Sequence, residues 1–134
     1  MKNLMLPIII GIFSTNLAFS QNSSLKESMQ RGSDIYADFC VTCHLAKGEG
    51  VANAFPPLAG SDYLFKNREA SIRGVKFGQQ GELIVNGVTY NNVMAPMGLE
   101  DGEIADVMNF IMNSWGNESD SMVTTEEVAG IRKK

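Results

Sequence analysis

The sequence predicts one mainly α-helical domain with a small β-hairpin, and three patterns carry that expectation. The clearest is an apolar stripe. Ile104, Val107, Met108, Ile111, Met112 and Trp115 recur at three- and four-residue steps, which places them on one face of a helix from Glu103 to Trp115. Gly116 is well placed to end it. A second helical pattern covers Leu25 to Cys43, where Gly32, Ile35, Tyr36, Phe39 and Cys43 keep the same spacing. The third is Leu83-Ile84-Val85, then Asn86-Gly87, then Val88-Thr89-Tyr90, a hairpin signal because Asn-Gly suits the type I′ turn.

The remaining segments follow in chain order. Residues 1–20 have a basic start at Lys2, an apolar run from Leu4 to Phe13 and small residues at Ala18 and Ser20, which reads as an export signal cleaved after Ser20. Left uncleaved it would be a membrane anchor, although the run is shorter than the roughly 20 apolar residues that cross a bilayer. No cysteine lies near the cleavage point, so lipid anchoring is not indicated. Residues 21–30 read as a loose mature N-terminus and 31–117 as the folded domain. Within it, Ala46 to Gly60 is a Gly- and Pro-rich loop. Ser61 is positioned to cap a helix from Asp62 to about Arg73, broken by Gly74 and Gly78. Asn91 to Leu99 is a loop. Residues 118–134 form a polar extension in which Thr124 and Glu127 resemble a capping box for a short last turn.

Once Lys2 is removed with the leader, ten Lys and Arg face fifteen Asp and Glu, a net charge of −5. Eight of the acids lie between Leu99 and Ile131, with no base among them. A nucleic-acid footprint would be basic, so that class is excluded. The acidity points to a soluble protein that is selective in its protein partners.

The chain holds only two cysteines and one histidine, and they stand together as Cys40-Val41-Thr42-Cys43-His44. This is the c-type haem attachment pattern. Cysteines three apart on a helical turn point the same way, so both sulfurs can form thioethers with one edge of a porphyrin. The next residue brings an imidazole to the iron, and neutral imidazole is a good axial ligand. A thioredoxin-like pair would need no histidine and expects a βαβ context that this sequence lacks. A structural zinc site needs about four N or S ligands, and the three residues here fall short. For a sixth ligand, Met108 and Met112 belong to the helix stripe, Met29 is too near the attachment helix in sequence, and Met122 lies in a polar stretch. Met94 and Met97 remain, both in the loop before the last long helix.

The stretch from Gly32 to Asn117 resembles a class I, monohaem cytochrome c of the bacterial exported branch. The likeness rests on Gly32-Ser33-Asp34-Ile35-Tyr36 ahead of the haem motif, on Phe55-Pro56-Pro57-Leu58-Ala59-Gly60, and on Tyr90-Asn91-Asn92-Val93-Met94-Ala95-Pro96 followed by Leu99 to Trp115-Gly116-Asn117. It implies N- and C-terminal helices that cross around one covalent haem c, with Gly32 and Tyr36 meeting Val107 and Phe110. It also implies that the Pro56 carbonyl accepts a hydrogen bond from the His44 ring and fixes its tautomer. By the same likeness Met94 is the second iron ligand. In that branch proline follows the ligand methionine directly, whereas here Ala95 intervenes. Glu100 stands where a serine is common, which should weaken the start of the last long helix slightly.

With both axial positions filled there is no open site for substrate, so the expected function is single-electron transfer and not enzymatic catalysis. The expected partners are redox proteins (an oxidase, a reductase or a dehydrogenase of the respiratory chain) met in the periplasm. The haem wall is expected from Phe55, Leu58, Tyr63, Leu64, Phe65, Phe77 and Val93. The alternative is a five-coordinate haem protein with peroxidase or gas-binding activity. That chemistry wants a distal His or Arg, and only Arg68 and Arg73, read as solvent-facing on a helix, are available.

Overall fold

A computed structural model describes residues 16–134. Its long helices are α1 (Asn16–Phe39) and α5 (Asp101–Met112), the pair with the most extensive mutual packing. Their crossing is set by Gly32. A Cβ built there would lie 2.6 Å from the Asp106 carbonyl carbon and 2.9 Å from Phe110 Cβ, and nearer still to the Asp106 carbonyl oxygen. The two backbones therefore meet where only a hydrogen can separate them. Around this point Tyr36, 3% exposed, packs its ring 5.4 Å from that of Phe110 and 5.1 Å from that of Trp115. These are tilted arrangements that suit the aromatic quadrupole. The Tyr36 hydroxyl donates to the Leu45 carbonyl at 2.7 Å, so the buried phenol is satisfied.

Residues 21–30 are not a loose terminus, because α1 runs through them. The helical spacing read from Leu25 already covers their second half, and polar contacts tie this part of α1 to α5. Ser28, fully buried, donates to Asp106 Oδ1 at 2.6 Å, and Arg31 forks onto the same carboxylate at 2.6 and 2.9 Å. The export signal read over 1–20 falls for the most part on residues 1–15, outside the described residues. Among the described residues no helix is long and apolar enough to cross a membrane.

The single helix expected from Asp62 to Arg73 is two, α3 (Asp62–Lys66) and α4 (Arg68–Phe77). Ser61 Oγ caps α3 by accepting from the Leu64 N–H at 3.2 Å. Asn67, at φ −126° and ψ 47°, breaks the chain between them, and α4 runs on through Gly74 to a stop at Gly78, where φ is +86°. Strands β1 (Leu83–Val85) and β2 (Val88–Tyr90) pair antiparallel with Leu83 opposite Tyr90. Asn86 and Gly87 take the positive φ values of +50° and +78° that the turn requires. Asp62 and Asn86 tie the hairpin to α3, each accepting the other's backbone N–H at 2.7 and 2.9 Å. At the start of α5 the Glu103 carboxylate accepts from the Glu100 N–H at 2.8 Å, which offsets the poor capping residue.

After α5 the chain turns back, and α6 (Thr125–Gly130) packs on it. Val123 and Val128 are fully buried, and Ile131 is 8% exposed. Asn109 lies inside this contact. Its amide donates to the Val123 carbonyl at 2.9 Å and accepts the Val123 N–H at 2.7 Å. Three bases of α4 face the same segment. Arg68 forks onto Glu127 at 2.7 and 2.9 Å, Arg73 donates to the Arg132 carbonyl, and Lys76 donates to the Val128 carbonyl. The expectation that Arg68 and Arg73 simply face solvent is corrected accordingly.

The hydrogen bond from Arg68 and its positive charge hold the Glu127 carboxyl below its ordinary value. A depressed carboxylate stabilises the fold above its unfolded pKa of about 4.3, and that contribution is lost as pH falls through the folded value. Glu127→Gln is expected to cost about 1 kcal/mol or less at pH 7, because the pair is part-exposed, and to flatten the acid side of the stability curve below about pH 4.3. Urea midpoints at pH 7 and pH 3.5 check this.

Candidate cofactor cavity

Cys40 ends α1 and opens α2 (Val41–His44). The Cys43 and His44 N–H groups donate to the Cys40 carbonyl at 3.2 and 2.9 Å, one tight turn that brings the three side chains together. All three line a cavity of about 350 Å³, bounded mainly by apolar groups. Burial, then the neighbouring Cys43, pushes the Cys40 thiol up to about 11.

His44 is 9% exposed, and burial lowers its pKa while the bond to Pro56 pulls the other way. Its Nδ1 lies 2.9 Å from the Pro56 carbonyl oxygen. That oxygen can only accept, so Nδ1 must be the donor and Nε2 keeps the lone pair of the neutral ring. The Pro56 carbonyl is itself set by Gly50. At φ +65° a Cβ on Gly50 would sit 2.7 Å from the Pro56 carbonyl carbon and 2.8 Å from its oxygen. In sequence Gly50 reads only as a loop glycine; its role shows once the loop closes on Pro56.

Met94 and Met97 both line the same cavity. The Met94 backbone is pinned, because Met94 and Gln79 exchange both N–H···O bonds at 2.8 Å in an isolated antiparallel bridge. Gly78 closes against it, and a Cβ there would be 2.9 Å from the Met94 carbonyl oxygen and 3.0 Å from Pro96 Cδ. Among the residues expected in the wall, Phe55, Leu58, Tyr63, Leu64 and Val93 line the cavity, whereas Phe65 and Phe77 do not. Sequence reasoning missed the α4 face of Ala70, Ser71, Gly74 and Val75. Its spacing of i, i+1, i+4 and i+5 is helical, but the side chains are too small to register as an apolar stripe. Met108 lines the cavity as well as packing in the core, and neither Arg68 nor Arg73 reaches it.

A helical fold closed around an apolar cavity, with two thiols, one imidazole and three thioethers on its wall, defines a small haem-carrying domain. The Cytochrome c family model matches residues 29–115, and the chain belongs to the cytochrome c family. It is 39% identical over 129 residues to a cytochrome c-552 of Thermus thermophilus, covering 90% of this chain and 86% of that one. It is also 36% identical over 104 residues to the cytochrome c subunit of a quinone alcohol dehydrogenase from Gluconacetobacter polyoxogenes, covering 75% of this chain but 22% of that subunit. A gluconate 2-dehydrogenase cytochrome c subunit from Pantoea cypripedii is 26% identical over 144 residues, covering 90% of this chain and 29% of that subunit. Membership makes the cofactor a covalently bound haem c with its iron, and the function electron transfer. The apolar lining, the Cys-x-x-Cys-His turn and the neutral His44 fit that group.

Proposed function

We propose that Cys40 and Cys43 hold the haem as thioethers, that His44 Nε2 and Met94 Sδ are its axial ligands, and that the protein is an exported shuttle for single electrons. The observation that carries this reading is that one cavity is lined both by the attachment turn and by a methionine whose backbone is fixed. Bound haem c supplies a one-electron couple, and methionine ligation favours its ferrous form. The chain's own residues do the rest. Pro56 fixes the His44 tautomer, Gly50 sets Pro56, and the Gln79 bridge with Gly78 holds Met94 in place. Met97 has no comparable backbone bridge among the described residues, which favours Met94. The partners in this reading are redox proteins, and the relatives named as dehydrogenase subunits make an exported dehydrogenase the first donor to test. Val93, 70% exposed beside Met94, offers apolar surface for transient docking near the cavity.

Visible spectra of the oxidised and reduced protein, with and without carbon monoxide, test the ligation. A low-spin spectrum with the iron–sulfur charge-transfer band and no carbon monoxide response is expected. Met94→Ala should keep the haem attached, lose that band, lower the potential and gain carbon monoxide binding, while Met97→Ala leaves all four unchanged. The reverse pattern would assign the ligand to Met97. A high-spin protein that binds carbon monoxide without any substitution would sink the carrier reading in favour of an open iron.

A further inference from the structure

Among the described residues, buried polar side chains are paired almost without exception. Ser28, Ser61, Asn109, Asn117 and His44 all have partners. Ser71 is the exception. Its Oγ is closed to solvent, yet among the described residues it has no hydrogen-bond partner. A serine inside a helix either reaches solvent or bonds back to the carbonyl one turn earlier. Here the Asn67 carbonyl accepts the Ser71 backbone N–H at 2.8 Å but no bond from the hydroxyl. Natural cores rarely leave such a group orphaned, and each case calls for an explanation. Ser71 also lines the cofactor cavity from α4.

The position on α4 is informative. Gly74 lies three residues on, along the same helical face, and also lines the cavity. A Cβ on Gly74 would stand 3.7 Å from Gln79 Cβ, and Gln79 is the residue bridged to Met94. The wall therefore runs from Ser71 through Gly74 and Gln79 to Met94, on the side that carries the methionine loop.

We infer that Ser71 is a potential-setting residue whose hydroxyl donates a hydrogen bond to an acceptor belonging to the bound haem or its axial sulfur. The unpaired donor is reserved for a partner that the polypeptide does not supply. A donor dipole aimed at the centre favours the form with one more electron, so Ser71 raises the reduction potential. This rests on the cavity being the haem site and does not depend on which methionine ligates.

The test compares the holoprotein with Ser71→Ala, which removes the donor with little change in size, and Ser71→Thr, which keeps it. Ser71→Ala should retain full haem content and the same thermal midpoint. At a fixed poise its reduced-to-oxidised ratio should fall three- to tenfold, about 30–59 mV at 59 mV per tenfold for one electron. Ser71→Thr should return the ratio to within twofold of the starting protein. A moved iron–sulfur charge-transfer band in Ser71→Ala would identify the axial sulfur as acceptor. Moved propionate bending modes in the resonance Raman spectrum, with that band fixed, would identify a haem carboxylate. An unchanged potential in Ser71→Ala, or a shift that Ser71→Thr shares in full, overturns the inference. A failure of the Met94 assignment shows up separately, as a charge-transfer band that survives Met94→Ala.

Discussion

Gly32→Ala is expected to destabilise the holoprotein by about 3 kcal/mol or more, at the upper end of what overpacking costs. The added methyl would meet main-chain atoms of α5 at Asp106, not the end of a flexible side chain. Relief requires α1 and α5 to separate. That separation loosens the Tyr36, Phe110 and Trp115 contacts at 5.1–5.4 Å and pulls Ser28 and Arg31 away from Asp106. The cavity feels it too, because Val107 and Ile111 of α5 form part of its wall. Guanidinium midpoints with an unchanged slope would report the loss. Gly102→Ala is the matched control. Gly102 also lies in α5, but its added Cβ would meet only Thr125 Oγ1 at 3.7 Å, an ordinary contact. There the gain in helix propensity should dominate, stabilising by about 0.5–1 kcal/mol. A loss under about 1 kcal/mol for Gly32→Ala, below the overpacking range, would mean that the crossing has room the geometry denies.

What could be read from the sequence divides along physical lines. The β-hairpin was legible to the residue because Asn86-Gly87 admits one turn, and that turn fixes the register. The stripe made α5 legible because it is long and large, but not its end: the helix expected to run to Trp115 and stop at Gly116 stops at Met112, with Trp115 at φ +55°. The attachment turn was legible because the only histidine and the only cysteines stand together. Other features depend on contacts distant in sequence. Nothing local marks Asn67 as the break between α3 and α4, since it is neither Gly nor Pro. The part of α1 ahead of Leu25 carries no helical spacing, and the anchors of this end of the helix, Ser28 and Arg31, have their partner Asp106 78 and 75 residues away. Gly50 and Gly78 look like any loop glycine, and only closure shows that one sets Pro56 and the other Met94. Ser71 is invisible to pattern reading, because its significance is a missing partner.

The polar look of residues 118–134 conceals the second large effect. Deleting them is expected to leave a chain that does not hold a native fold at ambient temperature. Val123, Val128 and Ile131 would leave the core together, and fully buried side chains of this size contribute about 1.5–3 kcal/mol each. Asn109, 1% exposed and enclosed by α1, α5 and the returning chain, would lose both of its bonds to Val123. It would keep its bond to Ser28 and turn to water for the rest, so these losses fall mainly on packing. These losses approach the whole stability of a typical domain, about 5–15 kcal/mol. Arg68 would also lose its pair with Glu127, whereas Arg73 and Lys76 would keep Glu69 and Asp101. The covalent haem should still be attached, so the truncated protein would be coloured, with helical circular dichroism but a broad thermal transition. A graded variant separates packing from polar contacts. Val128→Ala should cost about 1–3 kcal/mol while leaving the Arg68–Glu127 pair in place. A truncated protein that melts sharply within a few degrees of the full chain would mean that the extension rests on a core already complete without it.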